Sequence, residues 1–241
     1  MIELFNVNKS YSKGAVKAVD NLTLEIKKGE IFGFLGPNGA GKTTTIKMIT
    51  GILNADSGWI KINGYDIKTD PINARMQFGY APDNPDIYTK LRGIEYLNFM
   101  ADVYQVPRET RKDRIVNMLK RFDLYEAAGD IIQSYSHGMR QKIVVIGALL
   151  HNPEVWILDE PLTGLDPKSA FILKEMMREH VKQGKTVFFS THVLEVAEKL
   201  CDRLAIINKG KIMFCGDMDE IKRYTEQNQS LEKVFLEMTQ I

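Results

Sequence analysis

The chain has 241 residues, of which 44% are apolar, and this is typical of one folded, soluble domain or of a core with an inserted subdomain. Its 32 basic and 31 acidic side chains give a formal net charge of +1, which argues against nucleic acid as a partner. Its two cysteines, Cys201 and Cys215, are too few for a disulfide framework and lack a metal-binding spacing. We predict that both are reduced and inert.

The sequence shows neither a secretory signal nor a membrane span. The N-terminus has no basic segment followed by an apolar core. The longest apolar run, residues 143–150, is much shorter than the roughly 20 residues that a transmembrane helix needs. If the protein acts at a membrane, we expect another chain to cross it.

Residues 2–26 alternate between apolar and polar types, which predicts antiparallel strands. Turn signals occur at residues 12–14 and at Asp20 and Asn21. Tyr11 lies at the first predicted turn. Its ring could pack against the domain or stack on a nucleotide base.

A phosphate-binding loop is predicted at residues 36–43. The segment reads glycine, four residues, glycine, lysine, threonine, and it follows an apolar run at residues 31–35 that is typical of a buried strand. Apolar residues then recur at helical spacing. The glycines let the backbone amides of the loop point at an anion, and the start of the helix adds its own unpaired amides. The Lys42 ammonium can reach the outer phosphates, and the Thr43 hydroxyl can bind Mg²⁺.

The pattern becomes helical over residues 83–128, which we interpret as an insertion in an α/β core. Arg108, Arg111, Lys112 and Arg114 alternate with acidic residues there. They are predicted to form a solvated helix face, with a phosphate or lipid contact as the alternative.

Three polar residues follow buried strands in the second half of the chain. Asp159 and Glu160 end the apolar run 155–158, and His192 follows the strand at residues 186–189. Alternating strands and helices indicate a mostly parallel sheet with ligands at the carboxyl ends of its strands. We therefore expect Asp159 to bind Mg²⁺ beside Thr43, Glu160 to act as general base, and His192 to hold the outer phosphate and the attacking water.

Two helices carry further signals. Ser136 can cap the helix that begins near residue 137, and Gly138 leaves its amides accessible, so this helix start is either a second anion site or a plain capped helix. Near the C-terminus, two short strands precede a helical tail whose apolar residues share one face. They are Leu231, Val234, Phe235 and Met238.

On these motifs the chain resembles the ABC ATPases over essentially its whole length. Residues 36–43 match the Walker A loop, 155–159 the Walker B strand, Glu160 the catalytic glutamate, and His192 the switch histidine. The resemblance implies an ATP site with Mg²⁺. The implied ATP-binding residues are Tyr11, Gly36, Pro37, Asn38, Gly39, Ala40, Gly41, Lys42, Thr43 and Thr44.

The signature motif of the family, usually Leu-Ser-Gly-Gly-Gln, corresponds to residues 135–139 and to the predicted contacts Ser136, His137, Gly138 and Met139. The family's D-loop corresponds to residues 163–166, with Asp166 as its aspartate. This chain departs from the family at His137 and Met139. It also has Asp83, which is shorter and charged, where the Q-loop glutamine is expected, and this makes Asp83 a candidate Mg²⁺ ligand.

The resemblance also implies an architecture: an α/β P-loop ATPase core with a mostly parallel sheet, an N-terminal antiparallel β region and an inserted helical subdomain. As one ABC ATPase domain, the chain would divide into a core (1–82 and 151–225), a helical subdomain (83–150) and a tail (226–241). It further implies a second ATPase subunit, identical or related, whose signature covers ATP in trans. A separate permease would hold the protein peripherally at the cytoplasmic face of the membrane, and the tail and signature variant favour export.

Three other functions compete with this interpretation. A soluble ABC protein of translation or DNA maintenance usually carries two ATPase units or long coiled coils, which this sequence lacks. A regulatory subunit would bind ATP with little hydrolysis. Asp83 and the altered signature are compatible with that role, whereas Glu160 and His192 favour hydrolysis. A small-molecule kinase would need an acceptor site, and no motif indicates one.

Overall fold

The computed structural model describes residues 1–14, 16–86, 88–224 and 231–239. Within these ranges the strands form two sheets. The first is antiparallel, in the order β2-β1-β4-β5. Its strands are β1 (Ile2–Tyr11), β2 (Val16–Ile26), β4 (Ser57–Ile62) and β5 (Tyr65–Asp66). The second sheet has the order β10-β9-β3-β8-β7-β6. Its strands are β3 (Ile31–Leu35), β6 (Phe78–Ala81), β7 (Val155–Leu158), β8 (Thr186–Thr191), β9 (Arg203–Asn208) and β10 (Lys211–Asp217).

The second sheet is parallel except for its β9–β10 pair. The mostly parallel α/β sheet and the separate antiparallel region confirm the predicted fold class.

Helices connect the strands. They are α1 (Lys42–Ile49), α2 (Pro71–Met76), α3 (Gly93–Val103), α4 (Arg108–Arg121), α5 (His137–Leu149), α6 (Pro167–Lys182), α7 (Leu194–Leu200), α8 (Met218–Tyr224) and α9 (Leu231–Thr239).

The turn predicted at Asp20 and Asn21 is wrong, because both residues lie inside β2. The strand bulges there instead: Asn21 has φ 51°, and the register with β1 shifts between Val7 and Lys9. Asparagine tolerates this left-handed backbone, and the Asn21 amide donates to Asn8 Oδ1 at 2.8 Å. The turn signal was therefore a bulge signal.

The predicted solvated face of α4 is correct for only part of the basic cluster. Arg108 and Lys112 are exposed. Arg111 and Arg114 are partly buried, and each has a local partner: Arg111 pairs with Asp102 at 2.7 Å, and Arg114 donates to Leu150 O at 2.9 Å. These two arginines tie α4 to its neighbours.

The C-terminal part packs on the parallel sheet. Val234 and Phe235 of α9 are buried in a cluster with Leu204 and Ile206 of β9. The side chain of Leu231 and residues 226–230 and 240–241 of the predicted tail lie outside the described residues. Among the described helices, none is long and apolar enough to cross a membrane.

Candidate nucleotide-binding site

The predicted phosphate loop connects β3 to α1. Gly41, directly before α1, has φ 108°, and a Cβ atom there would lie 2.4 Å from Ala18 O. Only glycine fits this position. The turn between β9 and β10 supports the loop through Gly210, and we call this contact the Gly210 brace. The Gly210 amide donates to Ala40 O at 2.9 Å, and the Gly210 carbonyl oxygen accepts from the Asp20 amide at 2.9 Å. Both sheets therefore hold the loop.

Lys42 is only 6% exposed, and its ammonium lies over this loop. Nζ donates to Gly36 O at 2.6 Å and to Pro37 O at 3.3 Å. The same nitrogen lies 3.4 Å from Glu160 Oε1. The lysine thus links the loop to the carboxylate that follows β7.

Ser190, at the end of β8, connects the two carboxylates. Its hydroxyl donates to Asp159 Oδ1 at 2.6 Å and accepts from the Glu160 amide at 3.0 Å. Glu160 has φ 48°, a left-handed conformation that is costly for a glutamate. The Ser190 hydroxyl therefore helps to fix the backbone from which the Glu160 side chain projects.

The Glu160 side chain lies between a lysine and a histidine. Oε2 is 3.0 Å from His192 Nδ1, and Oε1 faces Lys42. The Glu160 side chain is 13% exposed and that of His192 is 50% exposed. This contact sets the imidazole orientation and leaves its remaining surface open to solvent.

Asp159 is fully buried at the end of β7, and within the described residues its Oδ2 atom has no hydrogen-bond partner. Burial raises the pKa of this carboxyl, the Ser190 and Thr43 side chains lower it, and the negative charges of Asp83 and Glu160 raise it further. Burial also raises the pKa of Tyr80, and so do the charges of Asp159 and Asp83. An unpaired buried oxygen beside the Thr43 side chain fits Mg²⁺, which needs few protein ligands when substrate phosphates supply others.

The signature residues lie at the start of α5, where His137 and Gly138 lie against the D-loop. Ser136 is the N-cap, and its Oγ accepts from the Met139 amide at 3.2 Å. Gly164 of the D-loop packs under the His137 ring, since a Cβ at position 164 would lie 2.5 Å from His137 Cδ2. Asp166 caps α6 by accepting from the amide and hydroxyl of Ser169 at 2.9 and 2.6 Å.

Comparisons with known proteins agree with this arrangement. A family model described as ABC transporter matches residues 19–163, more than half of the chain. The chain belongs to the ABC transporter ATP-binding family. It is 33% identical over 239 residues to the ABC transporter ATP-binding protein NatA of Bacillus subtilis (strain 168), which covers 98% of this chain and 97% of the relative.

Two solved structures show the same fold as this ABC ATPase. One, the ATP-binding subunit of an ABC transporter, superposes with a TM-score of 0.93 at 33% identity and covers 99% of each chain. The other is the dimeric ATP-binding cassette MJ0796 in a post-hydrolysis state bound to ADP and Pi. Its TM-score is 0.81 at 25% identity, with 90% of this chain and 99% of that chain covered.

In this ABC ATPase the structure brings Lys42, Thr43, Asp159, Glu160 and His192 into one cluster, with Asp83 close enough to affect Asp159 electrostatically. The predicted loop residues lie around Lys42. Pro37, Asn38, Gly39, Thr43 and Thr44 are exposed or partly exposed. Tyr11 ends β1 with 41% of its surface exposed, so its ring is not a core residue. The signature residues are not part of this cluster, and His137 and Gly138 lie beside Gly164 of the D-loop.

Sequence reasoning missed Ser190 and the Gly210 brace in this ABC ATPase. Ser190 gave a signal, because a hydroxyl interrupts an apolar strand two residues before His192. Gly210 gave no comparable signal, since its role depends on a turn that is 170 positions away from Ala40 in the chain.

Proposed function

We propose that this ABC ATPase binds ATP with Mg²⁺ and hydrolyses it to power a separate membrane permease. The observation that carries the proposal is the position of Glu160, whose carboxylate oxygens contact Lys42 at 3.4 Å and His192 at 3.0 Å. A carboxylate beside the lysine that reaches the outer phosphates is placed to orient water at the terminal phosphate. His192 Nδ1 contacts the same carboxylate, and half of the His192 side chain remains exposed.

Thr43 and Asp159 Oδ2 would hold Mg²⁺, with Asp83 as a further candidate beside them. When bound there, Mg²⁺ would supply positive charge that favours phosphoryl transfer. The chain's own contributions are the backbone of residues 36–41, the Lys42 ammonium and the fixed Glu160 side chain. Tyr11, exposed at the end of β1, is available to stack on the adenine base.

We propose that two ATPase subunits pair head to tail, so that Ser136, His137, Gly138 and Met139 of one copy cover ATP on the other. The dimeric cassette among the structural relatives supports this assembly. ATP would favour the closed dimer by its greater affinity for that state, and hydrolysis would reopen it.

The permease would dock on a groove of about 500 Å³ between the core and the helical segment. Exposed apolar and aromatic side chains line it, including Ile52 and Tyr88, with Lys47 and Arg75 at its edge. An amphipathic cytoplasmic helix fits such a groove. Docking would hold the protein at the cytoplasmic face of the membrane. We also propose the division into core (1–82 and 151–225), helical subdomain (83–150) and tail (226–241). The tail and the signature variant favour export.

The test is ATP turnover of the purified chain beside its Glu160→Gln variant, with the molar mass of both followed by light scattering. We expect Mg²⁺-dependent turnover in the parent, and an ATP-dependent dimer without turnover in the variant. Equal turnover in the two proteins would remove Glu160 from its role. Tight ATP binding without turnover in the parent would favour a regulatory subunit, and Asp83→Gln would then show whether Asp83 is the cause.

A further inference from the structure

We propose that His137 is a positioning residue that connects the start of α5 to the turn carrying Glu160. In the proposed dimer, the signature of one subunit covers the ATP bound to its partner, while Glu160 of the same subunit acts on that subunit's own ATP. The His137 ring would couple the position of the signature to the position of Glu160. This inference rests on the proposed function, because it needs an ATPase with paired sites.

The contact between His137 and Gly164 leaves no room for a side chain at position 164. Gly164 has φ 76°, and a Cβ atom there would lie 2.5 Å from His137 Cδ2 and 2.9 Å from Nε2. A Cβ at Gly138 would lie 3.0 Å from Gly164 O. The signature residues His137 and Gly138 therefore pack against the D-loop at two neighbouring points, and the His137 ring occupies the space that a side chain at position 164 would need.

The turn between Glu160 and Gly164 is compact. The Thr163 amide donates to Glu160 O at 3.1 Å, and the Glu160 amide is fixed to Ser190 Oγ. At its other end the turn continues into Asp166, the cap of α6. A displacement of Gly164 therefore reaches Glu160 within one turn of backbone.

The backbone at the start of α5, which carries the exposed His137 side chain, is held in place by Arg140. Arg140 pairs with Asp86 at 2.6 Å and donates to Gln133 O at 2.9 Å. Asp86 follows Asp83 by three residues, in the segment that leads from the nucleotide site to the docking groove. His137 thus sits where movement of this segment would meet the D-loop.

The same contact explains why a histidine is compatible with a signature motif. With its ring on Gly164, the imidazole lies beside the D-loop, and the Met139 amide keeps the Ser136 hydroxyl as its partner at 3.2 Å.

The test is a double-mutant cycle of Gly164→Ala and His137→Gly, with Gly184→Ala as the matched control. Gly184 has φ 77°, and a Cβ there meets no atom within 4 Å, so this control has the same backbone strain without the clash. We expect Gly164→Ala to lower kcat about tenfold, an effect of the size that coupled neighbours show, with KM and thermal stability close to those of Gly184→Ala. Adding His137→Gly should restore kcat to within about threefold of His137→Gly alone.

A further variant separates ring packing from imidazole chemistry. His137→Phe keeps a ring over Gly164, so Gly164→Ala should still lower kcat about tenfold relative to His137→Phe alone, whereas relative to His137→Gly alone the loss should be about threefold or less. Additive effects of Gly164→Ala and His137→Gly, or equal losses in Gly164→Ala and Gly184→Ala, would overturn the role of His137. A parent without Mg²⁺-dependent turnover would overturn the proposed function instead.

Discussion

Replacing Ser190 by alanine should damage both stability and turnover. The substitution removes the 2.6 Å bond to Asp159 and the 3.0 Å bond from the Glu160 amide. A hydrogen bond to a charged group is worth about 1.5–3 kcal/mol and a neutral one about 0.5–1.5, so we expect a loss of about 2–4 kcal/mol in the free energy of unfolding. Since Asp159 is fully buried, water cannot easily replace the lost bond.

Urea unfolding in EDTA without nucleotide measures this loss apart from any metal effect. Ser169→Ala is the matched control for stability, because its hydroxyl also donates to a carboxylate at 2.6 Å, but that carboxylate belongs to the exposed Asp166. The control should lose less than about 1 kcal/mol. Equal losses in the two variants would refute the reasoning that burial of Asp159 makes the Ser190 bond important. We also expect turnover in Ser190→Ala to fall about tenfold or more, because Glu160 loses an anchor of its left-handed backbone.

The remaining predictions concern binding, the loop and pH. Lys42→Ala should weaken ATP binding about 10- to 100-fold by equilibrium titration, because charge-assisted bonds are lost; unchanged affinity would contradict the loop assignment. Gly41→Ala should abolish ATP binding while retaining the folded circular dichroism spectrum, since its Cβ would lie 2.4 Å from Ala18 O. Burial, followed by the charge of Lys185, lowers the pKa of His180 to about 4. Protonation of His180 therefore favours the unfolded chain, and the free energy of unfolding falls as pH drops from about 6.5 to 4. His180→Phe should remove up to about 3 kcal/mol of that fall, as measured by urea unfolding at several pH values. Identical pH profiles of the parent and the variant would refute this assignment to His180.

The strands and helices near the nucleotide site were predictable from the sequence because each carries a strong local pattern. The apolar runs before Gly36 and Asp159 are short and uninterrupted, as buried parallel strands require, and both form strands of one sheet with β8 between them. The bulge at Asn21 was not predictable in this way. An asparagine with positive φ is equally compatible with a turn or a bulge, and the choice depends on the partner side chain of Asn8, which comes from another strand.

The site shows the same division between local and distant information. Lys42, Glu160 and His192 could be assigned because each follows a strand end with a recognisable motif. The link through Ser190 needed the pairing of β7 with β8, in which Leu158 lies beside Phe189. The contact of His137 with Gly164 was likewise absent from any local pattern, because the two residues meet only when α5 packs beside the D-loop.

The brace at Gly210 has a consequence for how the protein is made. The loop that includes Gly41 is synthesised early, yet the backbone that supports it comes from the turn between β9 and β10, far later in the chain. Contacts between such distant segments form late in folding, since a long stretch of chain must first be ordered. A nascent chain that has exposed only its first half therefore carries the complete motif without its support. Nucleotide binding should appear only after residue 210 has left the ribosome, so ATP can stabilise the finished domain but cannot act as a template for its early stages.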